Sequence, residues 1–294
     1  MATHYIKRHP LNVDCSAMAS PSGLFDPAKL FNVEGLVAVV TGGGSGIGLM
    51  IATALENNGA IVYIVSRKLD VLESAVRERS RRGNLFALQG DVTNRESLQR
   101  IAEIIKRKHG FINLLVNNAG VANNILPKLP GPGEADIKTY QNILWNAGTP
   151  KEFSDAFDVN VTAVYYCTVC FLELLHAGNK RGNLHGVTSQ VLTVTSGGAF
   201  RKDDKVFSVS YTLSKVAATH LSKMLSHFLR DWKIRSNVIA PGIFPSVMTG
   251  GLISDAYVKN NVPLQRQGDI NDIGGWSYFW PVGLELMSTG RYNS

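Results

Sequence analysis

The chain has 294 residues, 45% of them hydrophobic and 18% charged, which is enough apolar material for a substantial core and excludes a disordered chain. The formal charge of +7 does not mark a nucleic-acid binder, because the cations are interleaved with acids, as in Arg77-Glu78-Arg79, and no nucleic-acid module is present. Three cysteines argue against a disulfide scaffold, and the seven histidines form no metal-ligating cluster, so no metal site is expected.

Residues 1–30 read as an irregular leader without the apolar core of a secretory signal. No run reads as long and apolar enough to span a bilayer, and the expectation is a cytoplasmic protein with no membrane contact. From Leu36 onward, short β-branched runs alternate with helical patterns. The runs are Leu36–Val40, Ile61–Val65, Leu85–Leu88, Leu114–Val116, Val191–Val194 and Ser236–Ile239. Between them, Ile47, Met50, Ile51 and Leu55 recur at helix spacing, as do Leu98, Ile101, Ile104 and Ile105. Val164–Leu175 reads as a buried helix, which makes Cys167-x-x-Cys170 a packing feature. After Tyr211 the apolar positions Leu213, Val216, Leu221, Met224, Leu225 and Phe228 predict a long amphipathic helix. Such alternation predicts an α/β fold: one domain over 31–275 around a parallel sheet covered on both faces. Residues 126–150, rich in Pro and Gly, read as a long loop with one short helix, and 276–294 as an irregular tail.

The first strand runs into Thr41-Gly42-Gly43-Gly44-Ser45-Gly46-Ile47-Gly48, a glycine turn that opens a helix. Such a turn lets backbone approach a pyrophosphate, and the helix start directs free N–H groups at it. At the end of the second strand a dinucleotide's adenosine ribose would meet Ser66, Arg67 and Lys68. An acid there would select NADH; a guanidinium fork pairs a 2′-phosphate, so NADPH is expected, the alternative being two solvated cations at a helix start. Tyr211 and Lys215 are four apart on one helix face, where an ammonium would lower the phenol pKa. Ser196, at the end of a strand, can donate to a carbonyl oxygen, and otherwise caps a turn. Asn160 is a polar residue inside an otherwise apolar helix.

Together these residues resemble the short-chain dehydrogenase/reductase family over roughly Leu36 to Gly275. The glycine turn matches its cofactor turn, Asp91-Val92 its adenine contact, and Asn117-Asn118-Ala119-Gly120 its central-strand segment. Pro241-Gly242-Ile243 and Thr249 match its nicotinamide segment. Asn160, Ser196, Tyr211 and Lys215 match its catalytic tetrad. The stretch from Phe171 through Thr249 is similar to a fungal branch, near β-ketoacyl and sugar-acid reductases, many of which serve secondary metabolism. The resemblance implies a Rossmann-type doubly wound sheet, a homo-oligomer, and NADP(H) acting on a small carbonyl or alcohol. In that mechanism Tyr211 gives a proton to the oxygen, Ser196 polarises it, Lys215 tunes the tyrosine and holds the ribose, and Asn160 holds a water. Where the family continues with an apolar helix and a last strand, this chain reads Trp276-Ser-Tyr-Phe-Trp-Pro281, so the final edge strand is expected to be missing. Two other readings stay open: a redox-neutral isomerase, dehydratase or cyclase on the same scaffold, and a catalytically silent cofactor-binding protein.

Overall fold

The computed structural model describes residues 32–183, 187–202, 206–246, 248, 250 and 253–279. The leader 1–30, Thr249 and the expectation of a missing last strand fall outside these residues. Six strands form one parallel sheet in the order β3-β2-β1-β4-β5-β6: β1 Val37–Thr41, β2 Ile61–Ser66, β3 Leu85–Gln89, β4 Leu114–Asn117, β5 Gln190–Val194 and β6 Arg235–Ile239. Every strand predicted from the β-branched runs is present.

Side chains alternate across the sheet, and each face buries its own core. Ala38, Val40, Val62 and Ile64 pack under α1 (Gly46–Asn57) and α2 (Leu69–Arg79), through Ile51, Leu55 and Leu72. Val37, Val39, Tyr63 and Leu115 pack under α3 (Arg95–Lys108) and two later helices, through Ile101, Ile105 and Phe171. The predicted short helix in the Pro/Gly-rich loop is α4 (Ile137–Trp145), which buries none of its residues. A helix then runs through α5 (Pro150–Phe157), a π-helical turn (Asp158–Thr162) and α6 (Ala163–Arg181). Among the described residues the remaining α-helices are α7 (Val209–Phe228), α8 (Asp255–Asn261) and α9 (Ile270–Phe279).

Four expectations are corrected. Pro150–Arg181 is long and apolar enough by length and composition to cross a membrane, contrary to the sequence reading. It is a core helix here, because Cys167, Phe171, Leu174 and Leu175 are buried against the sheet. Ile104 on α3 is exposed at 39%, since one turn presents only two of its three apolar positions inward. On α7 the predicted apolar stripe is split: Leu213, Val216, Met224 and Phe228 are exposed, while Leu225 is buried and Leu221 packs against the core. The inward face is Tyr211, Ser214, Lys215, Ala218, Ser222 and Leu225, whose small members let the helix lie close to the sheet. Finally, the segment from Trp276 to Phe279, expected to be irregular, continues α9.

Candidate active site

The chain order of the strands reverses between β1 and β4, and their carboxyl ends open a crevice where dinucleotides bind in doubly wound sheets. A cleft there is lined by Gly42, Ser66, Arg67, Asp91, Val92, Ala119 and Gly120, among others. The expected cofactor residues of four separate loops thus converge. Gly90, Thr93, Val121 and Val159 also line it and were missed, because nothing in their residue types marks a ligand contact.

The glycine turn is shaped by close packing. Gly42 has φ +64, in the left-handed region, and its N–H donates to the Val65 carbonyl at 2.8 Å. A Cβ on Gly48 would stand 2.5 Å from the Gly42 carbonyl oxygen and clash with Asn118 Nδ2. Asn118 is itself the bolt: its Nδ2 donates to the Thr41 and Gly42 carbonyls at 2.9 and 3.1 Å. Thr41 Oγ1 accepts from the Asn118 and Ala119 N–H groups and donates to the Val116 carbonyl. Gly44 packs near Val71 and Leu72, and Gly46 near Ser246. Ser45 precedes α1 without a side-chain cap, so the N–H groups of Gly46, Ile47 and Gly48 at the helix start are not taken by that hydroxyl. This cradle, which a Cβ would fill, fits a pyrophosphate.

At the end of β2, Ser66 Oγ donates to the Lys68 carbonyl at 3.3 Å. Burial opposes ionisation of Asp91, but hydrogen bonds from Thr93 and the Arg67 charge outweigh it and hold the carboxyl below its usual range. Arg67 and Asp91 therefore face the same end of the cleft. Beyond β6, the Pro241 carbonyl accepts from Gly197 N–H at 2.8 Å and the Ile243 carbonyl from Gly268 N–H at 2.8 Å, while Gly242 leaves open space beside it. Pro241-Gly242-Ile243 thus sits against the loop that carries Ser196.

The four expected catalytic residues come from three elements: the π-helical turn (Asn160), the turn just past β5 (Ser196) and α7 (Tyr211 and Lys215). Ser196 Oγ accepts from the Gly198 N–H at 3.0 Å, and its hydroxyl is near enough to the Tyr211 phenol to pull that group's pKa down. Ser208 caps α7, accepting from the Tyr211 N–H at 3.2 Å, and so fixes where the helix starts. Lys215 is buried, and its Nζ donates to the Val194 carbonyl at 2.9 Å, 5.7 Å from the centre of the Tyr211 ring. Burial drops its pKa from the usual 10.5 to about 8. Burial also raises the Tyr211 pKa, with the Ser196 hydroxyl pulling the other way. The lowering expected from Lys215 is not what governs this phenol: desolvation is the larger effect. Asn160 sits in the π-helical turn, 1% exposed. Its Oδ1 accepts from Val121 N–H at 2.9 Å, and its Nδ2 donates to the Val121 carbonyl at 2.9 Å and to Ser214 Oγ at 2.8 Å. Both of its amide protons are spent on protein, so only the oxygen has capacity left for a water. That oxygen and Lys215 Nζ flank Gly120, whose added Cβ would lie 3.1 and 3.3 Å from them.

A doubly wound sheet with a glycine cradle at its switch point and a Ser–Tyr–Lys cluster beside it defines a dinucleotide-dependent oxidoreductase architecture. A model of the short chain dehydrogenase family matches residues 36–256. PhomF of Diaporthe leptostromiformis, a short-chain dehydrogenase/reductase, is 40% identical over 259 residues, 84% of this chain and 85% of that one. VdtF of Byssochlamys spectabilis, described likewise, is 40% identical over 295 residues, 91% and 95% of the two chains. Among solved structures, the Pseudomonas aeruginosa RhlG/NADP active-site complex superposes with TM-score 0.71 at 26% identity, covering 85% of this chain and 90% of that one. A 7α-hydroxysteroid dehydrogenase complexed with NADH and 7-oxo glycochenodeoxycholic acid gives 0.69 at 27%, covering 88% and 91%. The chain belongs to the short-chain dehydrogenase/reductase family, in a fungal-type branch, and is an oxidoreductase of a family that uses nicotinamide cofactors.

Proposed function

We propose that this protein is a cytoplasmic NADPH-dependent carbonyl reductase of fungal secondary metabolism, which also runs in reverse on the secondary alcohol. The observation that carries the reading is the placement of Tyr211 at the capped start of its helix, with Lys215 buried 5.7 Å from its ring and bonded to the end of the strand that leads to Ser196. When bound, the nicotinamide supplies or takes the hydride.

The residues of this chain do the rest. Gly42, Gly44, Ser45, Gly46, Ile47 and Gly48 receive the pyrophosphate, Asp91 and Val92 the adenine, and Asn118, Ala119, Gly120, Pro241, Gly242, Ile243 and Thr249 the nicotinamide end. Ser66, Arg67 and Lys68 supply no carboxylate to compete for ribose hydroxyls and two cations for a 2′-phosphate. Known neighbours hold either nucleotide, so the preference for NADPH rests on these three residues. With Gly198 donating to Ser196 Oγ, the single serine proton remains to be given, so a carbonyl oxygen placed between the two hydroxyls receives one donor from each. A raised pKa keeps Tyr211 protonated at neutral pH, the state needed to give a proton to a reduced carbonyl. Lys215 spends one of its three donors on Val194, and the others serve a ribose hydroxyl and, with Asn160, the water that restores the proton.

The substrate is a small, partly apolar carbonyl compound. Phe207 supports this: its ring lies 5.2 Å from that of Tyr211 and remains 38% exposed. The outward apolar faces of α6 (Tyr165, Tyr166, Val169) and α7 (Val209, Leu213, Val216) favour a homo-oligomer. Titration of purified protein with NADPH and NADH tests the cofactor claim. Tighter binding of NADPH is expected, and binding of neither nucleotide would refute the proposal.

A further inference from the structure

Ser214 belongs to none of the cofactor or tetrad residues, yet it joins them. It is fully buried, one residue before Lys215 and three after Tyr211. Its Oγ donates to the Tyr211 carbonyl at 2.7 Å and accepts from Asn160 Nδ2 at 2.8 Å. With both roles taken, the direction of the chain of bonds is set: Asn160 N–H to Ser214, Ser214 O–H to the Tyr211 peptide. On its other side Asn160 grips both the N–H and the carbonyl of Val121. Val121 directly follows the Asn118-Ala119-Gly120 segment that lines the cleft. A continuous buried path of hydrogen bonds therefore runs from the cofactor segment to the first turn of α7. Ser208 and Ser210 also tie the start of α7 to this loop, but further along it, at Asn123 and Asn124, whereas Ser214 is the link that passes through Asn160 to Val121, next to the cleft.

We propose that Ser214 is a positioning residue for proton transfer, which sets the Tyr211 phenol against the cofactor segment by way of Asn160. This rests on the function proposed above. The phenol must meet a carbonyl oxygen that the cofactor segment helps to place, and a displacement of about 1 Å can cost on the order of a hundredfold in rate. A hydroxyl that back-bonds within its own helix and does nothing else would stabilise the fold equally in the presence or absence of Asn160. One that acts through Asn160 would not.

The test is a double-mutant cycle on kcat with Ser214→Ala, Asn160→Ala and the double variant, with the NADPH dissociation constant, melting temperature and amide hydrogen exchange measured for each. Ser214→Ala is expected to lower kcat by about tenfold or more while the NADPH dissociation constant stays within about threefold. The double variant should lose no more than the worse single one, as expected of two members of one path. Ser214→Thr, which restores the hydroxyl, should recover part of kcat. Amides of Val121 and of the first turn of α7 should exchange faster in both single variants. Additive losses, or a lower melting temperature with kcat unchanged, would overturn the proposal. A wild type that binds NADPH but turns over no carbonyl would refute the proposed function and the catalytic half of this inference. The exchange data would then still decide the linkage: unchanged exchange in Ser214→Ala refutes it.

Discussion

The two sides of the cleft are built differently. On the cofactor side, β1, β4 and the glycine turn interlock: Asn118, just past β4, bolts the Thr41 and Gly42 carbonyls in place, and Gly48 has no room for a methyl group. The loop that carries α4 and the turn after Ser196 are open by contrast: α4 buries no residue, Trp145 is 79% exposed and Phe200 72%, and the function proposed above leaves them to meet the second substrate. Tyr211 stands at the border, held by the Ser208 cap below and contacted by Phe207 above. The contrast separates two tasks. A dinucleotide is the same in every catalytic cycle and can be met by backbone packed without slack. The second substrate is met by side chains on loops, where exchange of one apolar group alters fit and leaves the fold intact. Substitutions on the two sides should therefore fail differently.

The largest effect is expected at the border. Tyr211→Phe removes the proton donor and should lower kcat by about 10² to 10⁴, the usual worth of general acid catalysis, with NADPH affinity nearly unchanged. Retained turnover would remove Tyr211 as the acid. On the cofactor side, Gly48→Ala forces the Gly42 carbonyl and Asn118 apart. It should cost about 1–3 kcal/mol of stability, read as a lower denaturation midpoint, and weaken nucleotide binding with it. Arg67→Asp should shift the NADPH/NADH preference toward NADH by about tenfold or more, the worth of one charge-assisted hydrogen bond. An unchanged ratio of dissociation constants would refute the 2′-phosphate assignment.

Lys215 offers a sharper probe of the packed side. Burial lowers its pKa from 10.5 to about 8, so the penalty for the buried charge is complete below about pH 8 and vanishes as pH approaches 10.5. Wild type should therefore gain stability relative to Lys215→Met over that window, by up to about 3 kcal/mol. A pH-independent difference in chemical denaturation would contradict the burial. The smallest effect belongs to the open side: Trp145→Ala should change stability by less than about 0.5 kcal/mol and act only on the KM of the carbonyl substrate.

Legibility in the sequence follows the same division. The central strands β1, β2, β4 and β5 show as mainly apolar runs because they are buried on both faces, while the edge strands β3 and β6 are only partly buried and show more weakly. The glycine turn shows because its conformation and tight packing restrict residue type. The orientation of α7 did not show. Its inward face is made of Ser214, Ala218 and Ser222, and periodicity marks the apolar stripe without saying which stripe meets the sheet. The bonds of Asn160 to Val121 and Ser214 were equally hidden, since they join positions 39 and 54 residues apart and no local pattern encodes such a pairing. Trp276 to Phe279 read as irregular for want of the family's usual residues, although their backbone completes α9.

The central claim is that hydride moves between nicotinamide and a carbonyl carbon while Tyr211 supplies the proton. It is tested most directly with NADPH carrying deuterium at both C4 positions, incubated with the protein and a panel of ketones and β-ketoacyl thioesters. The account predicts loss of nicotinamide absorbance together with one deuterium on the carbinol carbon of the product. Product formed without deuterium, or bound NADPH that is never consumed by any carbonyl in the panel, would contradict it.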